Sequence, residues 1–160
     1  MKNKKLIYGF VAIVILVGGL VIKSNIKSNV DLTDSDQLKD KLVLYRSPNC
    51  GCCVNYAAYL KKEGYEVEII STDDMNTVKE EKRVPFNMSS CHTVVMGDYV
   101  IEGHIPVEGI KKLASERPNI VGITLPDMPQ GSPGMPGRKV GLFDIYSIEN
   151  DGNTSLFTQL

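Results

Sequence analysis

The sequence lacks an excess of basic charge, an internal repeat and a glycine-rich motif of the kind that cradles phosphate. It carries 18 basic and 19 acidic residues, which gives a formal charge of −1 at pH 7. Domains that bind nucleic acid carry a basic patch or stripe, so this composition predicts no nucleic-acid partner. Histidine and cysteine are also scarce, with two and four residues, and the motifs that they form therefore dominate any prediction of chemistry.

The N-terminal residues predict a membrane anchor. Three lysines precede an uncharged run of 17 residues, 6–22, which is at the short limit for a membrane-spanning helix. A secretory signal peptide has the same outline, but no A-x-A-like cleavage site and no lipid-accepting cysteine follows. We therefore favour an uncleaved anchor over 1–27, a polar linker over 28–40 and one domain over 41–160. The lysines predict a single-pass protein of the cytoplasmic membrane, with its domain on the extracytoplasmic side.

Without the N-terminal segment, the chain is acidic. Five of the basic residues belong to that segment, namely Lys2, Lys4, Lys5, Lys23 and Lys27. The remaining 13 basic and 19 acidic residues give a formal charge of −6. Such a domain would draw in cations modestly.

Three of the four cysteines lie in residues 47–53, which we call the cysteine turn. The apolar run 41–45 before it predicts a buried strand, and residues 54–64, closed by Gly64, predict a helix. The cysteines therefore lie on a strand-to-helix turn, where unpaired backbone N–H groups and the helix dipole stabilise thiolates. Thiolate is the form of cysteine that binds metals and attacks disulfides.

The spacing within the cysteine turn leaves several kinds of chemistry open. Cys50 and Cys53 can share a helix face and form the C-x-x-C redox pattern. Cys52 is next to Cys53 and about 100° around the helix axis from it. Three thiolates on one turn are hard to point at one tetrahedral ion, so they suit bridging thiolates in a multi-metal site, or one pair with a spare ligand. Two structural disulfides are the default in an exported domain, but a Cys50–Cys53 link closes too small a loop to stabilise the fold much.

The remaining patterns predict an α/β domain. After the first strand and helix come a strand over 65–70, a helix to about residue 83, a hairpin over 93–101 and a helix over 106–118. Thr72 or Asp73 is the expected cap of the second helix. The resulting order, β-α-β-α-β-β-α, is the thioredoxin-like arrangement, and a C-x-x-C at the first strand–helix turn supports it.

The hairpin register predicts a second group of ligands. With 97–98 as a two-residue turn, counting outward pairs Cys91 with His104, and His92 with Gly103. Directly opposed side chains share one face about 5 Å apart, so Cys91 and His104 should be neighbours and His92 should point the other way. A one-residue slip would put His92 in place of His104. The alternative without a metal is that His104 caps the following helix and that His92 is a surface residue.

In a thioredoxin-like fold, the start of the third strand abuts the first strand–helix turn. The residues expected to converge there as metal ligands are Cys50, Cys52, Cys53, Cys91 and His104.

A Pro/Gly loop and a C-terminal hairpin complete the domain. Residues 125–137, which we call the Pro/Gly loop, contain four prolines and three glycines and cannot form a helix or a central strand. Its Met128 and Met135 are either soft thioether ligands suited to Cu(I) or apolar side chains that pin the loop to the core. Residues 140–148 and 155–159 predict a hairpin that extends the sheet or covers the loop.

Four motifs in this order resemble the CopG-type copper-resistance proteins, an exported thioredoxin-like family, over residues 41–160. They are Ser47-Pro48-Asn49-Cys50-Gly51-Cys52-Cys53, Ser90-Cys91-His92-Thr93, Glu102-Gly103-His104-Ile105-Pro106 and Met128-Pro129-Gln130-Gly131-Ser132-Pro133-Gly134-Met135. The resemblance implies a cysteine-bridged copper site and a role in copper tolerance, and it leaves open whether bound copper changes oxidation state. The anchor departs from a freely soluble exported form. The identity of the partner is left open, and it could be a protein in the membrane or another exported copper-handling protein.

The donor chemistry agrees with copper. Thiolates with imidazoles form a soft site that selects Cu(I), zinc or an iron–sulfur centre. Zinc is satisfied by four ligands and does no redox work, and iron–sulfur centres draw on more widely spaced cysteines. Cu(I) also explains the methionines of the Pro/Gly loop.

Two other functions compete with copper binding. The first is a membrane-anchored thiol–disulfide oxidoreductase with Cys50 as nucleophile and Cys53 as resolving thiol. Against it, Cys52 invites wrong pairings, and Ser90 and Cys91 stand where such enzymes place a cis-proline. The second is a structural module with two disulfides, which would have no free thiol and no metal.

Overall fold

The computed structural model describes residues 41–160, and the predicted anchor (1–27) and linker (28–40) lie outside this range. Within it, no helix is both long and apolar enough to cross a membrane. The strands are β1 Lys41–Arg46, β2 Glu66–Ser71, β3 His92–Met96, β4 Tyr99–Glu102, β5 Gly122–Thr124, β6 Asp144–Ile148 and β7 Thr154–Gln159. The helices are α1 Gly51–Lys62, α2 Met75–Glu81 and α3 Val107–Glu116, with a short 3₁₀ helix at Phe86–Met88.

One mixed sheet of seven strands organises this α/β domain, in the order β2-β1-β3-β4-β5-β6-β7. The β1-α1-β2 unit is a parallel crossover, and β3 pairs antiparallel with both β1 and β4. The predicted order β-α-β-α-β-β-α is therefore confirmed for the strands and α-helices up to α3.

The predicted register of the β3–β4 hairpin is also confirmed. Met96 pairs with Tyr99 and Thr93 with Glu102, so residues 97–98 form the turn. The N–H of Gly103 donates to the carbonyl of His92, which continues this register for one residue beyond the ladder.

Helices cover both faces of the sheet. Leu42 and Leu44 of β1 share a core with Tyr56 and Leu60 of α1 and with Leu113 of α3. Alternation along the strands places Thr93 and Glu102 on the other face, where Lys79 of α2 contacts both side chains.

The cap of α2 corrects a prediction. The capping residue is Asp74, whose Oδ1 accepts the N–H of Thr77 at 3.0 Å, rather than Thr72 or Asp73. The hydroxyl of Thr72 instead accepts the N–H of Asp74 at 3.1 Å, which helps to hold the capping residue in place.

The C-terminal hairpin extends the sheet, which was one of its two predicted positions. It does so through β5, a strand of three buried residues that was not predicted and that joins β4 to β6. Strand β6 begins at Asp144, later than predicted, because Gly141 has a positive φ of 74°. Val140 and Leu142 on either side of this glycine are 84% and 63% exposed, so they do not belong to the core.

Candidate metal centre

The cysteine turn is positioned by the start of α1. Cys50 is the N-cap residue of this helix, and its Sγ accepts the N–H of Cys53 at 3.3 Å. An N-cap side chain satisfies one of the backbone N–H groups that have no partner within the helix. The prediction that the cysteines lie in or just before the first helical turn is confirmed.

Arg46 holds the backbone of the same turn, a role that sequence reasoning missed. Its Nη1 donates to the carbonyl oxygens of Ser47, Pro48 and Cys50 at 3.0, 3.0 and 3.2 Å. A basic residue at the end of a strand is too common to have signalled this contact.

The four cysteine sulfurs form one cluster in which all Sγ atoms lie within 4.8 Å of one another. Cys50 and Cys53 form a disulfide, while Cys52 and Cys91 are free thiols. The Sγ of Cys52 is 3.5 Å from that of Cys50 and 3.6 Å from that of Cys91. The Sγ of Cys91 is also 3.5 Å from that of Cys53, so the prediction that the four cysteines converge is confirmed.

Cys91 lies beside both histidines. Its Sγ is 3.2 Å from Nε2 of His104, as the hairpin register predicted. It is also 3.4 Å from Nδ1 of His92, so the prediction that His92 points the other way is wrong. Alternation of faces applies only within a strand, and β3 begins at His92, so Cys91 lies outside the ladder and its side chain turns back toward His92.

The two imidazoles lie in the core around Tyr56. The rings of His92 and His104 are 4.7 Å apart between centroids, and they lie 4.6 and 5.2 Å from the ring of Tyr56. Both histidines are fully buried, so His92 is not a surface residue. His104 does not cap α3, because that helix begins after Pro106 with no side-chain capping bond.

The carbonyl of Pro133 fixes the tautomer of His104. Nδ1 of His104 is 2.7 Å from the oxygen of Pro133, which can only accept a hydrogen bond. Nδ1 therefore carries the proton, and Nε2 presents its lone pair toward Cys91. Hydrogen bonds of this kind orient metal-binding histidines in proteins. A backbone carbonyl carries no sequence signal, so this contact could not have been predicted from residue types.

The Pro/Gly loop packs on the first turns of α1. A Cβ at Gly134 would lie 2.7 Å from the backbone nitrogen of Tyr56, and Gly134 also has a φ of 82°. Only glycine allows this close approach with a positive φ. Met128 and Met135, the two further candidate ligands, are partly buried in this loop.

Burial sets the protonation of the metal-free site. It lowers the pKa of His104 and, with the nearby charges of His104 and Lys79, lowers the pKa of His92 well below its usual range. Both imidazoles are therefore neutral near pH 7. Burial and the neighbouring Cys52 raise the pKa of Cys91 to about 12, so Cys91 is a thiol rather than a thiolate. A metal ion that binds Cys91 must displace this proton.

Comparison with solved structures identifies the family. Two structures titled Copper resistance protein copG, Form 1 and Form 2, are each 36% identical to this chain and cover 75% of it. The matches span 96% and 97% of those chains, with TM-scores of 0.69 and 0.70. The chain belongs to the CopG family of copper resistance proteins. The predicted resemblance is thus confirmed.

A second match covers part of the CopG-like region. Residues 88–135 match a family described as a protein of unknown function, DUF411. This segment contains Cys91, both histidines and Pro133, whose carbonyl contacts His104, but not the cysteine turn. No curated protein sequence is significantly similar to the chain.

The donor set of this CopG family member fits a soft metal ion. Once the Cys50–Cys53 disulfide is reduced, four thiolates and two neutral imidazoles match the ligands that Cu(I) and zinc prefer. Among residues 41–160, Nε2 of His92 is a buried ring nitrogen without a hydrogen-bond partner. Buried polar atoms normally have partners; Nε2 lacks one, while Nδ1 of the same ring faces Sγ of Cys91 at 3.4 Å.

Proposed function

We propose that the protein holds more than one Cu(I) ion on the thiolates of Cys50, Cys52, Cys53 and Cys91, in the service of copper tolerance. His104 and His92 supply imidazole ligands at the side of the cluster formed by Cys91. The observation that carries this proposal is the convergence of four sulfurs within 4.8 Å of one another. The copper-resistance titles of the two matching structures support the choice of metal.

The scaffold we propose is thioredoxin-like, with the copper site at its first strand–helix turn. The order of elements up to α3 and the place of Cys50 at the N-cap of α1 support this interpretation. We further propose that residues 1–27 anchor the chain in the cytoplasmic membrane, with the copper site on the extracytoplasmic side. The lysines before the apolar run 6–22 support this orientation. An exported copper-handling protein would then deliver or receive the ions.

More than one ion is proposed because three of the four cysteines, Cys50, Cys52 and Cys53, share one turn at the start of α1, and three thiolates on one turn are hard to point at a single tetrahedral ion. Cys52 and Cys53 are about 100° apart around the axis of α1. Cys91 approaches both from a different element, with its Sγ 3.6 Å from that of Cys52 and 3.5 Å from that of Cys53. We therefore propose that these thiolates bridge two ions.

The Cys50–Cys53 disulfide must be reduced before the full cluster can bind copper. A dithiol reductant supplies two electrons and two protons, which convert the disulfide to two thiols while the reductant becomes a disulfide. Copper binding then releases the thiol protons. The oxidised protein should therefore retain less copper than the reduced protein.

An anaerobic Cu(I) titration of the reduced full-length chain tests the proposal. We expect more than one copper per chain after desalting, and a joint loss of these ions in Cys52→Ala and in Cys91→Ala. Val54→Ala is the matched control, because Val54 is on the same helix but is 46% exposed and outside the cluster. Retention of one copper or fewer by the wild type, or unchanged retention in both cysteine variants, would refute the multinuclear site.

A second candidate, a thiol–disulfide oxidoreductase, is favoured by one observation, the disulfide between Cys50 and Cys53. Such an enzyme would use Cys50 as nucleophile and Cys53 as resolving thiol, and would need neither Cys52 nor Cys91. Disulfide reduction of a model substrate distinguishes the two functions. Activity that survives in Cys52→Ala and Cys91→Ala but is lost in Cys50→Ala, together with no copper retention, would establish the oxidoreductase in place of the copper protein.

A further inference from the structure

The position of Cys91 needs an explanation that the sheet does not provide. Cys91 lies just before β3 and is therefore not part of the strand ladder. The chain before it, from the 3₁₀ helix Phe86–Met88 to Ser90, has no regular hydrogen bonding to the sheet. A groove of about 530 Å³ runs beside this segment and is lined by Lys79, Ser89 and Ser90, among others. The segment that carries Cys91 is therefore held by individual contacts rather than by a ladder, and one of them is the hydroxyl of Thr124, which donates to the carbonyl of Met88 at 2.7 Å.

A buried carboxylate reaches this segment from the other face of the sheet. Glu102 is fully buried, and its Oε1 accepts the backbone N–H of Ser90 at 2.6 Å. Its Oε2 accepts the hydroxyl of Thr93 at 2.6 Å. The ammonium group of Lys79 forms an ion pair with Glu102 and donates to the hydroxyl of Thr93 at 3.1 Å.

This network fixes the carboxylate firmly. Three donors converge on this buried carboxylate, namely the ammonium group of Lys79, the hydroxyl of Thr93 and the backbone N–H of Ser90. Removing one partner from a buried ion pair leaves an uncompensated charge, which is strongly destabilising. The carboxylate therefore has one well-determined position, and the N–H of Ser90 is held to it.

We infer that Glu102 is a positioning residue for the metal centre, because it connects the two ligands Cys91 and His104. It is bonded to Ser90, the residue before Cys91, and it lies two residues before His104 in the chain. One side chain thus helps to set the 3.2 Å separation between Sγ of Cys91 and Nε2 of His104. The inference rests on the proposed copper binding for its functional meaning, although the hydrogen bond itself can be tested without metal.

Two paired substitutions separate positioning from stability. Lys79→Gln with Glu102→Gln removes both charges but keeps an acceptor for the N–H of Ser90. Lys79→Met with Glu102→Leu also removes both charges but leaves no acceptor. Lys112→Met with Glu116→Leu is the control, because it removes a partly exposed ion pair on α3. All variants are made in the full-length chain and studied in the reduced state.

Three measurements are compared, namely the melting temperature, the hydrogen exchange of the Ser90 amide in the metal-free protein, and the Cu(I) affinity by competition with a chromophoric chelator. For Lys79→Met with Glu102→Leu, which we call the Met/Leu pair, we expect the hydrogen-exchange rate of the Ser90 amide to rise at least about tenfold. We expect its Cu(I) affinity to fall about 10- to 100-fold. For Lys79→Gln with Glu102→Gln, which we call the Gln pair, and for the control, we expect the exchange rate and the Cu(I) affinity to stay within about threefold of wild type.

Two results would overturn the inference. One is a folded Met/Leu pair that binds Cu(I) as tightly as the Gln pair, and the other is unchanged exchange at Ser90 in the Met/Leu pair. If the Met/Leu pair does not fold, Thr93→Val decides, because it removes only one restraint on Glu102. Faster exchange at Ser90 with weaker Cu(I) binding in Thr93→Val supports the inference, and no change in either opposes it.

Failure of the proposed function gives a different pattern. If the wild type retains no Cu(I), the copper proposal fails, and exchange at Ser90 in the metal-free variants still reports whether Glu102 holds this segment. If the wild type retains Cu(I) and all variants bind it equally, only the positioning role fails.

Discussion

The two sides of the candidate metal centre are held in different ways. In the cysteine turn, Cys50 caps α1 and Arg46 binds the adjacent carbonyls, so these restraints come from within residues 46–53. On the other side, Cys91 meets His104 just beyond the paired ends of β3 and β4, and His104 is oriented by Pro133, 29 residues further along the chain. Contacts within one short segment therefore position the first side of the centre, which we call the local side, and contacts between distant segments position the second, the tertiary side. Substitutions on the two sides should have different effects.

The largest effect is expected from Gly134→Ala, which acts on the tertiary side. A Cβ at this position would lie 2.7 Å from the backbone nitrogen of Tyr56, at a φ of 82°. The left-handed conformation and the overpacking together should lower the free energy of unfolding by about 2–5 kcal/mol. Displacement of the neighbouring Pro133 should also weaken Cu(I) binding about tenfold. Chemical denaturation and Cu(I) competition measure the two effects.

Gly141→Ala is the matched control for this prediction. Gly141 has a similar φ of 74°, but no atom lies within 4 Å of the position of its Cβ. The substitution should cost about 1–2 kcal/mol for the backbone conformation alone, with Cu(I) affinity unchanged. Equal effects of the two substitutions would mean that the Pro/Gly loop does not support His104.

The same contrast explains what could be predicted of the fold. Hydrophobic patterns and turn residues gave the elements up to α3 and the hairpin register, because these depend on short segments. Strand β5 was missed because its three residues are all buried and carry no periodicity. The direction of His92 was predicted wrongly because register was extended one residue beyond the start of β3.

Acid should destabilise the tertiary side through its histidines. Burial lowers the folded-state pKa of both His92 and His104, whereas the unfolded chain binds these protons below a pKa of about 6.5. Stability is therefore full above this unfolded pKa and falls as the pH drops from it toward the folded values. Each pH unit in this window removes about 1.4 kcal/mol per histidine, which amounts to about 2 kcal/mol for each at about pH 5 if the histidine is still neutral there.

Unfolding of the reduced, metal-free protein between about pH 7 and pH 5 measures this loss. His92→Gln should flatten the profile, since it removes one of the groups that titrate only after unfolding. A profile of equal slope in wild type and His92→Gln would show that the pKa of His92 is the same in the folded and the unfolded chain.

A smaller effect is expected on the local side, at the cap of α1. Cys50→Ser replaces the sulfur acceptor by a hydroxyl, which is a favoured N-cap group, whereas Cys50→Ala removes the cap. Under reducing conditions the alanine variant should be about 0.5–2 kcal/mol less stable than the serine variant. Both should retain less copper, because each lacks one thiolate.

This pair of variants separates the structural and ligand roles of Cys50. Equal stability of the two variants in denaturant would show that the 3.3 Å contact with the N–H of Cys53 contributes nothing to α1. Full copper retention in either variant would remove Cys50 from the ligand set.

The candidate ligands were easier to predict than the groups that orient them. Cysteine and histidine are rare and have few purely structural roles, so Cys52, Cys91 and His104 could be selected by residue type and spacing. The groups that hold them are a carbonyl at Pro133, a guanidinium at Arg46 and a carboxylate at Glu102. Such groups are abundant in any sequence, and only the folded arrangement distinguishes these three from the rest.

The smallest effect is expected at the methionines of the Pro/Gly loop, and it decides between their two interpretations. Four sulfurs and two imidazoles already form two donor groups that share Cys91, so we expect Met128 and Met135 to serve as apolar contacts of the loop. Met128→Leu and Met135→Leu conserve volume and should cost less than about 1.5 kcal/mol in stability and less than about threefold in Cu(I) affinity. Met75→Leu on α2 is the control. A loss of about tenfold or more in affinity, at unchanged stability and absent in Met75→Leu, would instead assign that methionine as a thioether ligand.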